Sequence, residues 1–180
     1  RQERVRAGTE RVNTIFDGNF NDQFFEGRKK AFLDYATPQL QDQKQDAEKQ
    51  LTFALARGGN LDSSVRADKT AELQKKFALN QQEISDKALG EANNARNAVE
   101  GARGDLVTML NATGDAEGAA NSAVSRAAAL SAPTPFSPLT QLFSDFTAGL
   151  GQQAALERAN ALSGGAVTSR YNTGLFGPSK

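Results

Sequence analysis

Leu55-Ala56-Arg57-Gly58-Gly59-Asn60-Leu61-Asp62-Ser63-Ser64-Val65-Arg66-Ala67 is the stretch on which the fold turns. Upstream of it, Leu40, Ala47, Leu51, Ala54 and Leu55 recur at three-, four- and seven-residue spacing, while Gln39, Gln41, Gln43, Lys44 and Gln45 are polar. That is the pattern of a helix with one apolar face, and such a helix must pack on something. Gly58-Gly59-Asn60 halts it, since glycine closes helices through backbone conformations that other residues avoid. Asp62, Ser63 and Ser64 then offer side-chain oxygens to the unpaired N–H groups that open the next helix. The spacing predicts a helical hairpin with Gly58, Gly59, Asp62, Ser63 and Ser64 as its turn residues.

Beyond the turn, the helical pattern continues from Val65 to about Asn111 without proline, about 70 Å of helix at 1.5 Å per residue. Leu73, Phe77, Ile84, Ala88, Ala95, Val99, Ala102, Leu106 and Leu110 form its apolar stripe. Gly90, Gly101 and Gly104 each cost a helix about 1 kcal/mol relative to alanine. They therefore mark either the close approach of another helix or a bend or break. Ala112-Thr113-Gly114-Asp115 spells a stop and restart, followed by an alanine-rich helix to about Leu130.

Before the hairpin, short helices are expected over Thr9 to Phe16 and Asn21 to Tyr35, separated by Asp17-Gly18-Asn19. Val12, Ile15, Phe16, Phe24, Phe25, Phe32, Leu33 and Tyr35 make this the most core-like part of the chain. Thr37-Pro38 reads as a cap with proline at the first helical position, which starts the upstream arm of the hairpin. After the alanine-rich helix, Ser131-Ala132-Pro133-Thr134-Pro135 is an extended linker, because each proline disfavours helix in the residue before it. Ser137-Pro138 repeats the cap-and-proline signal and opens a last helix carrying Leu139, Leu142, Phe143, Phe146 and Leu150. From Ser163 on, Gly164-Gly165 and Gly174-Leu175-Phe176-Gly177-Pro178 mark an irregular tail that would order only against a neighbour.

Composition sets the class of protein. The 180 residues are 38% hydrophobic, largely alanine, with 16 Gly and no Trp. The mean hydropathy is −0.54. Alanine buries little area per residue, so a large private core is not expected. The 21 basic and 21 acidic residues cancel, which speaks against a nucleic-acid binder with a basic excess. With no His and no Cys, the usual zinc and haem ligands, cysteine nucleophiles and Ser-His-Asp triads are excluded. No apolar run approaches the roughly 20 residues of a membrane-spanning helix. The charged start, Arg1-Gln2-Glu3-Arg4, leads into no signal-peptide core, and an opening without Met points to a longer parent chain.

The remaining candidate chemistry is thin. Glu72, Glu83, Glu91 and Glu100 lie along the long helix expected after the turn, where a cell-wall hydrolase would use one as a general acid. That work requires a desolvated carboxyl in a cleft, which nothing here builds. Asp17, Asn19, Asn21 and Asp22 lack the ligand spacing of a calcium loop and read as helix caps. Arg28-Lys29-Lys30 and Lys75-Lys76 read as solvated faces. The Leu139 to Leu150 stripe is the candidate for subunit or membrane contact, with packing on other helices preferred because it has no Trp and carries Asp145 on its polar side. Neither a catalytic residue, nor a metal, nor a cofactor is expected.

The hairpin stretch at residues 55–67, together with Tyr35-Ala36-Thr37-Pro38-Gln39-Leu40, the Ala112 to Asp115 break and the Gly-Leu-Phe-Gly tail, resembles the small internal virion proteins, or ejection proteins, of short-tailed bacteriophages. The resemblance covers most of the chain from about Gly8 and includes no catalytic motif. It implies a protein packaged in the capsid near the portal, ejected through the tail, and reassembled with partner virion proteins into a conduit across the host cell envelope. Outer-membrane contact belongs to that picture, as does passage of phage DNA without sequence-specific binding.

Together these readings predict an all-α, elongated protein in three segments. Residues 1–36 form an aromatic helix pair, 37–130 the long hairpin and alanine-rich helix, and 131–180 the proline linker, amphipathic helix and glycine-rich tail. The expected function is a non-enzymatic, homo-oligomeric ring or tube subunit of the genome-delivery conduit. The alternative is a static structural subunit at the portal or tail.

Overall fold

The computed structural model describes residues 1–58 and 64–162, without the side chains of 153, 154, 157, 160 and 161. The fold is all-α, with five helices and no strand among the described residues: α1 (Gln2–Asn19), α2 (Asp22–Arg57), α3 (Ser64–Thr113), α4 (Ala116–Ser131) and α5 (Ser144–Leu162). They form two compact units that interleave along the sequence. The first comprises Arg1–Tyr35 and Ser85–Ser137, and the second residues 36–84 with the described residues from 138 onward. Segment bounds at 36 and 130 therefore mark punctuation in the sequence, whereas the compact units each draw on two distant stretches.

In the first unit, α1 packs on α4. Gly8, Val12 and Phe16, four residues apart, put one face of α1 into a core with Phe20, Phe25, Val99, Leu106, Leu110 and the alanines 119, 123 and 127. At Gly8 the helices approach closely: a Cβ there would lie 2.8 Å from Leu110 Cδ2 and 3.0 Å from Ala116 Cβ. The rings of Phe16, Phe20, Phe24 and Phe25 follow one another at centroid distances of 5.5, 4.9 and 5.3 Å, two of the three steps edge-to-face. Arg103 ties α3 to α1 through Asp17 at 2.8 Å, and its buried Nε–H has no acceptor.

α1 is longer than the predicted Thr9 to Phe16. Thr9 does not cap; its hydroxyl donates to the Val5 carbonyl inside the helix at 2.9 Å. Helical backbone also carries through Asp17-Gly18-Asn19, where Asn19 Nδ2 donates to the Ile15 carbonyl. Asn21 is the cap of α2, accepting the Phe24 N–H at 3.0 Å. α3 ends and α4 begins as the sequence spells it. Gly114 takes φ +72° and donates to the Leu110 carbonyl at 2.7 Å, and Asp115 accepts the Gly118 N–H at 2.9 Å.

Two further predicted boundaries are overturned. The helices expected to meet at Thr37-Pro38 are one 36-residue helix with Pro38 inside it. Pro38 is exposed, while Ala36 and Leu40 beside it are buried, so packing on either side outweighs the one ladder bond that proline removes. The last helix starts at Ser144, not after Pro138. The chain before it is irregular, and α2 meets polar groups of it: Leu139 N–H donates to Gln39 Oε1 at 2.9 Å and Leu142 N–H to Gln43 Oε1 at 2.7 Å. Gln43 Nε2 returns a bond to the Thr140 carbonyl at 3.1 Å. With these partners supplied, an irregular segment satisfies its backbone without a helical turn.

Every residue of the predicted α3 stripe, from Leu73 to Leu110, is buried or half-buried, and the helix is continuous over 50 residues. Gly90, Gly101 and Gly104 mark neither a break nor a close approach, since a Cβ at each would meet nothing within 4 Å. Their cost is offset by stripe residues such as Leu73, Leu106 and Leu110, each worth about 1.5–3 kcal/mol when fully buried.

Candidate functional site: a trough along α2 and α5

In the second unit, Leu40, Ala47, Leu51 and Leu55 of α2 are buried, as are Leu73 and Ile84 of α3 and Phe143, Phe146 and Leu150 at the start of α5. Lys44 Nζ lies over the Phe77 ring at 4.7 Å and joins α2 to α3. With its buried face turned inward, α2 leaves outward the row Asp46, Gln50, Phe53 and Arg57, spaced four, three and four residues apart. Such spacing keeps the four on one helix face.

A hollow of about 530 Å³ lies between this row and α5, lined by Gln50, Phe53, Arg57, Thr147, Leu150 and Arg158 among others. A second hollow of about 140 Å³ shares Gln50 and Thr147 with it and reaches Asp46 and Ser144. The two are one trough, acidic at the Asp46 end and basic at the Arg57 and Arg158 end. Phe53 stands at its edge 67% exposed. An exposed apolar residue is ordinary by itself; this one lies beside an open concavity.

The stripe picked out as a candidate for subunit or membrane contact packs mostly within its own unit. Phe143, Phe146 and Leu150 are buried within the unit, and Leu139 and Leu142 are half-buried. Three of the five are thus core residues, packed within the chain rather than offered to a membrane or a partner, and the segment carrying them is held to α2 through Gln39 and Gln43. Of the predicted turn, Gly58 donates to the Ala54 carbonyl at 3.3 Å and Ser64 opens α3. Gly59, Asp62 and Ser63 lie outside the described residues, as does the tail from Ser163.

The candidate catalytic glutamates are on the surface. Glu72 pairs with Lys69 at 3.2 Å, and Glu100 with Arg103 at 3.7 Å while 68% exposed. Glu83 is exposed, and Glu91 lines a 210 Å³ hollow that also holds Arg28. Among the described residues no cluster of three or more acidic side chains is placed to hold a metal ion. Of the Asp17 to Asp22 oxygens, that of Asn21 caps α2 and those of Asp17 and Asp22 pair with Arg103 and Arg96, while Asn19 donates its side-chain N–H to the Ile15 carbonyl.

Several structural anchors went unseen in the sequence. Arg28, half-buried, donates to the Leu130 and Ala132 carbonyls at 2.6 and 2.7 Å and to Thr134 Oγ1, closing the C-terminus of α4. Arg1 does the same for α3 through the Asn111 and Ala112 carbonyls at 3.3 and 2.9 Å. A cation at a helix C-terminus also meets the negative end of the helix dipole. The one signal for Gln39 and Gln43 was their four-residue spacing beside the apolar face, which polar patterning alone reads as solvent. No family model, no curated protein and no solved structure matches the chain.

Proposed function

We propose that this chain is a non-catalytic, self-assembling subunit of the phage ejection type, carried in the virion and used to build part of the genome-delivery conduit through the host cell envelope. The observation that carries the assembly half is the open trough of the second unit with Phe53 at its rim. The delivery half rests on the resemblance of residues 55–67 and the other stretches quoted with them to ejection proteins. Arg1, Arg28, Arg96 and Arg103 all have protein partners, and net charge is zero, which suits a wall past which DNA slides without being held.

The second reading, a static subunit at the portal or tail, is favoured by one observation: no helix among the described residues is long and apolar enough to cross a membrane. Quantitative mass spectrometry of particles containing the chain, before and after DNA release, separates the two. Loss of the chain with the DNA is the expected result. Full retention in emptied particles replaces the ejection reading with the static one.

A further inference from the structure

The α2 and α5 trough is electrically polar along its length, and its two ends are complementary to each other. Asp46 and Arg57 lie equally far on either side of the midpoint between Leu51 and Thr52, and so do Gln50 and Phe53. A second copy of α2 laid antiparallel across this midpoint brings acid to base at both ends and sets each Phe53 against the other copy's Gln50. We propose that the trough is the contact face of a two-fold homodimer, in which Phe53 of each copy enters the trough of the other and Asp46 of each faces Arg57 of the partner subunit. A two-fold contact is isologous, so a surface that complements itself is what it requires.

The structure supplies reasons for this occupant over others. Phe53 is a large ring 67% exposed beside the hollow it would fill in its partner. Asp46 is exposed, and its contact with Lys49 at 3.9 Å is a long surface pair of little worth. The chain's own tail is a poorer match: residues 163–180 contain Arg170 and Lys180 and no acid, the same sign as the Arg57 and Arg158 end. Two helices about 24 Å long and about 10 Å wide give on the order of 500 Å² per copy, near the low end for specific interfaces. The dimer is accordingly one that dissociates on dilution.

This inference rests on the assembly half of the proposed function and needs nothing of its phage half. Sedimentation equilibrium on the full chain over a wide concentration range tests it. The expected result is a monomer–dimer equilibrium that Phe53→Asp weakens at least about tenfold, as loss of a central aromatic anchor does. Asp46→Lys and Arg57→Glu each weaken it about tenfold at low salt, and mixing the two variants restores a heterodimer in which both charge pairs are again opposite. Circular dichroism checks that each variant stays folded, which their surface positions favour. Self-association that ignores all three substitutions, or single variants that fail to recover on mixing, overturns this interface and leaves the assembly reading standing. A chain that stays monomeric at every concentration overturns both. In that case a fall in melting temperature on Phe53→Asp would identify the chain's own segment as the occupant.

Discussion

Gly8→Ala is expected to destabilise the protein, against the usual benefit of replacing a helical glycine by alanine. That benefit is about 1 kcal/mol in a helix interior. At Gly8 the new methyl would sit 2.8 and 3.0 Å from the two ends of the Leu110 side chain and 3.0 Å from Ala116 Cβ. Leu110 is fully buried and cannot swing into solvent, and a Cβ moves only with its backbone. Overpacking of this kind costs about 1–3 kcal/mol, leaving a net loss of about 1 kcal/mol. Gly104→Ala is the internal control, since its methyl meets nothing within 4 Å and should return the full gain. Urea denaturation followed by helical circular dichroism should separate the two variants by about 2 kcal/mol, with melting temperatures moving in opposite directions by about 2–8 °C. In a Leu110→Ala background, which opens space at the contact, Gly8→Ala should turn stabilising. If both glycine replacements stabilise the wild-type protein equally, the close approach of α1 to α3 and α4 is refuted.

Pro38→Ala returns an N–H for the Asp34 carbonyl at an exposed site, and should stabilise by about 1–3 kcal/mol in chemical denaturation, less what the freer unfolded chain takes back. Arg28→Ala leaves the Leu130 and Ala132 carbonyls and Thr134 without their donor; a loss of about 1–3 kcal/mol is expected, with faster hydrogen exchange in the last turn of α4. Gln43→Ala removes both the acceptor for Leu142 N–H and the donor to the Thr140 carbonyl, so hydrogen exchange at Leu142 should speed up at least about tenfold while the α4 amides stay protected.

What could be read from the sequence was what is local or periodic. The α3 stripe, the Gly114 stop with its Asp115 cap and the alanine-rich α4 depend on spacing and on single-residue conformational preferences, and each is present. What could not be read depends on a distant partner. Pro38 looked like a helix start because the burial of Ala36 and Leu40 that carries the helix past it is a tertiary fact. Ser137-Pro138 looked like another, because nothing in residues 137–143 shows that Gln39 and Gln43 will occupy their N–H groups. The three glycines of α3 drew attention to close packing, whereas the glycine that serves it is Gly8, whose neighbours Leu110 and Ala116 are a hundred residues away. At the candidate site the stripe after Pro138 was visible as apolar, but the side of α2 it packs on was not, and Phe53 stood among Leu51, Ala54 and Leu55, off their buried face, with nothing local to single it out.

The interleaving of the two units has a consequence for synthesis. α1 and the first turns of α2 leave the ribosome with no partner but each other, since the rest of their unit begins only at Ser85. At typical elongation rates of about 5–20 residues per second, the intervening residues 36–84 take about 2–10 s to appear. For that interval the phenylalanines at 16, 20, 24 and 25 must shelter one another, and their close ring-to-ring sequence gives the nascent chain a means of doing so. The second unit waits longer: Phe143, Phe146 and Leu150 of its core are made only after Ser137, the last residue of the first unit. Synthesis order therefore completes the first unit while the second still lacks part of its core.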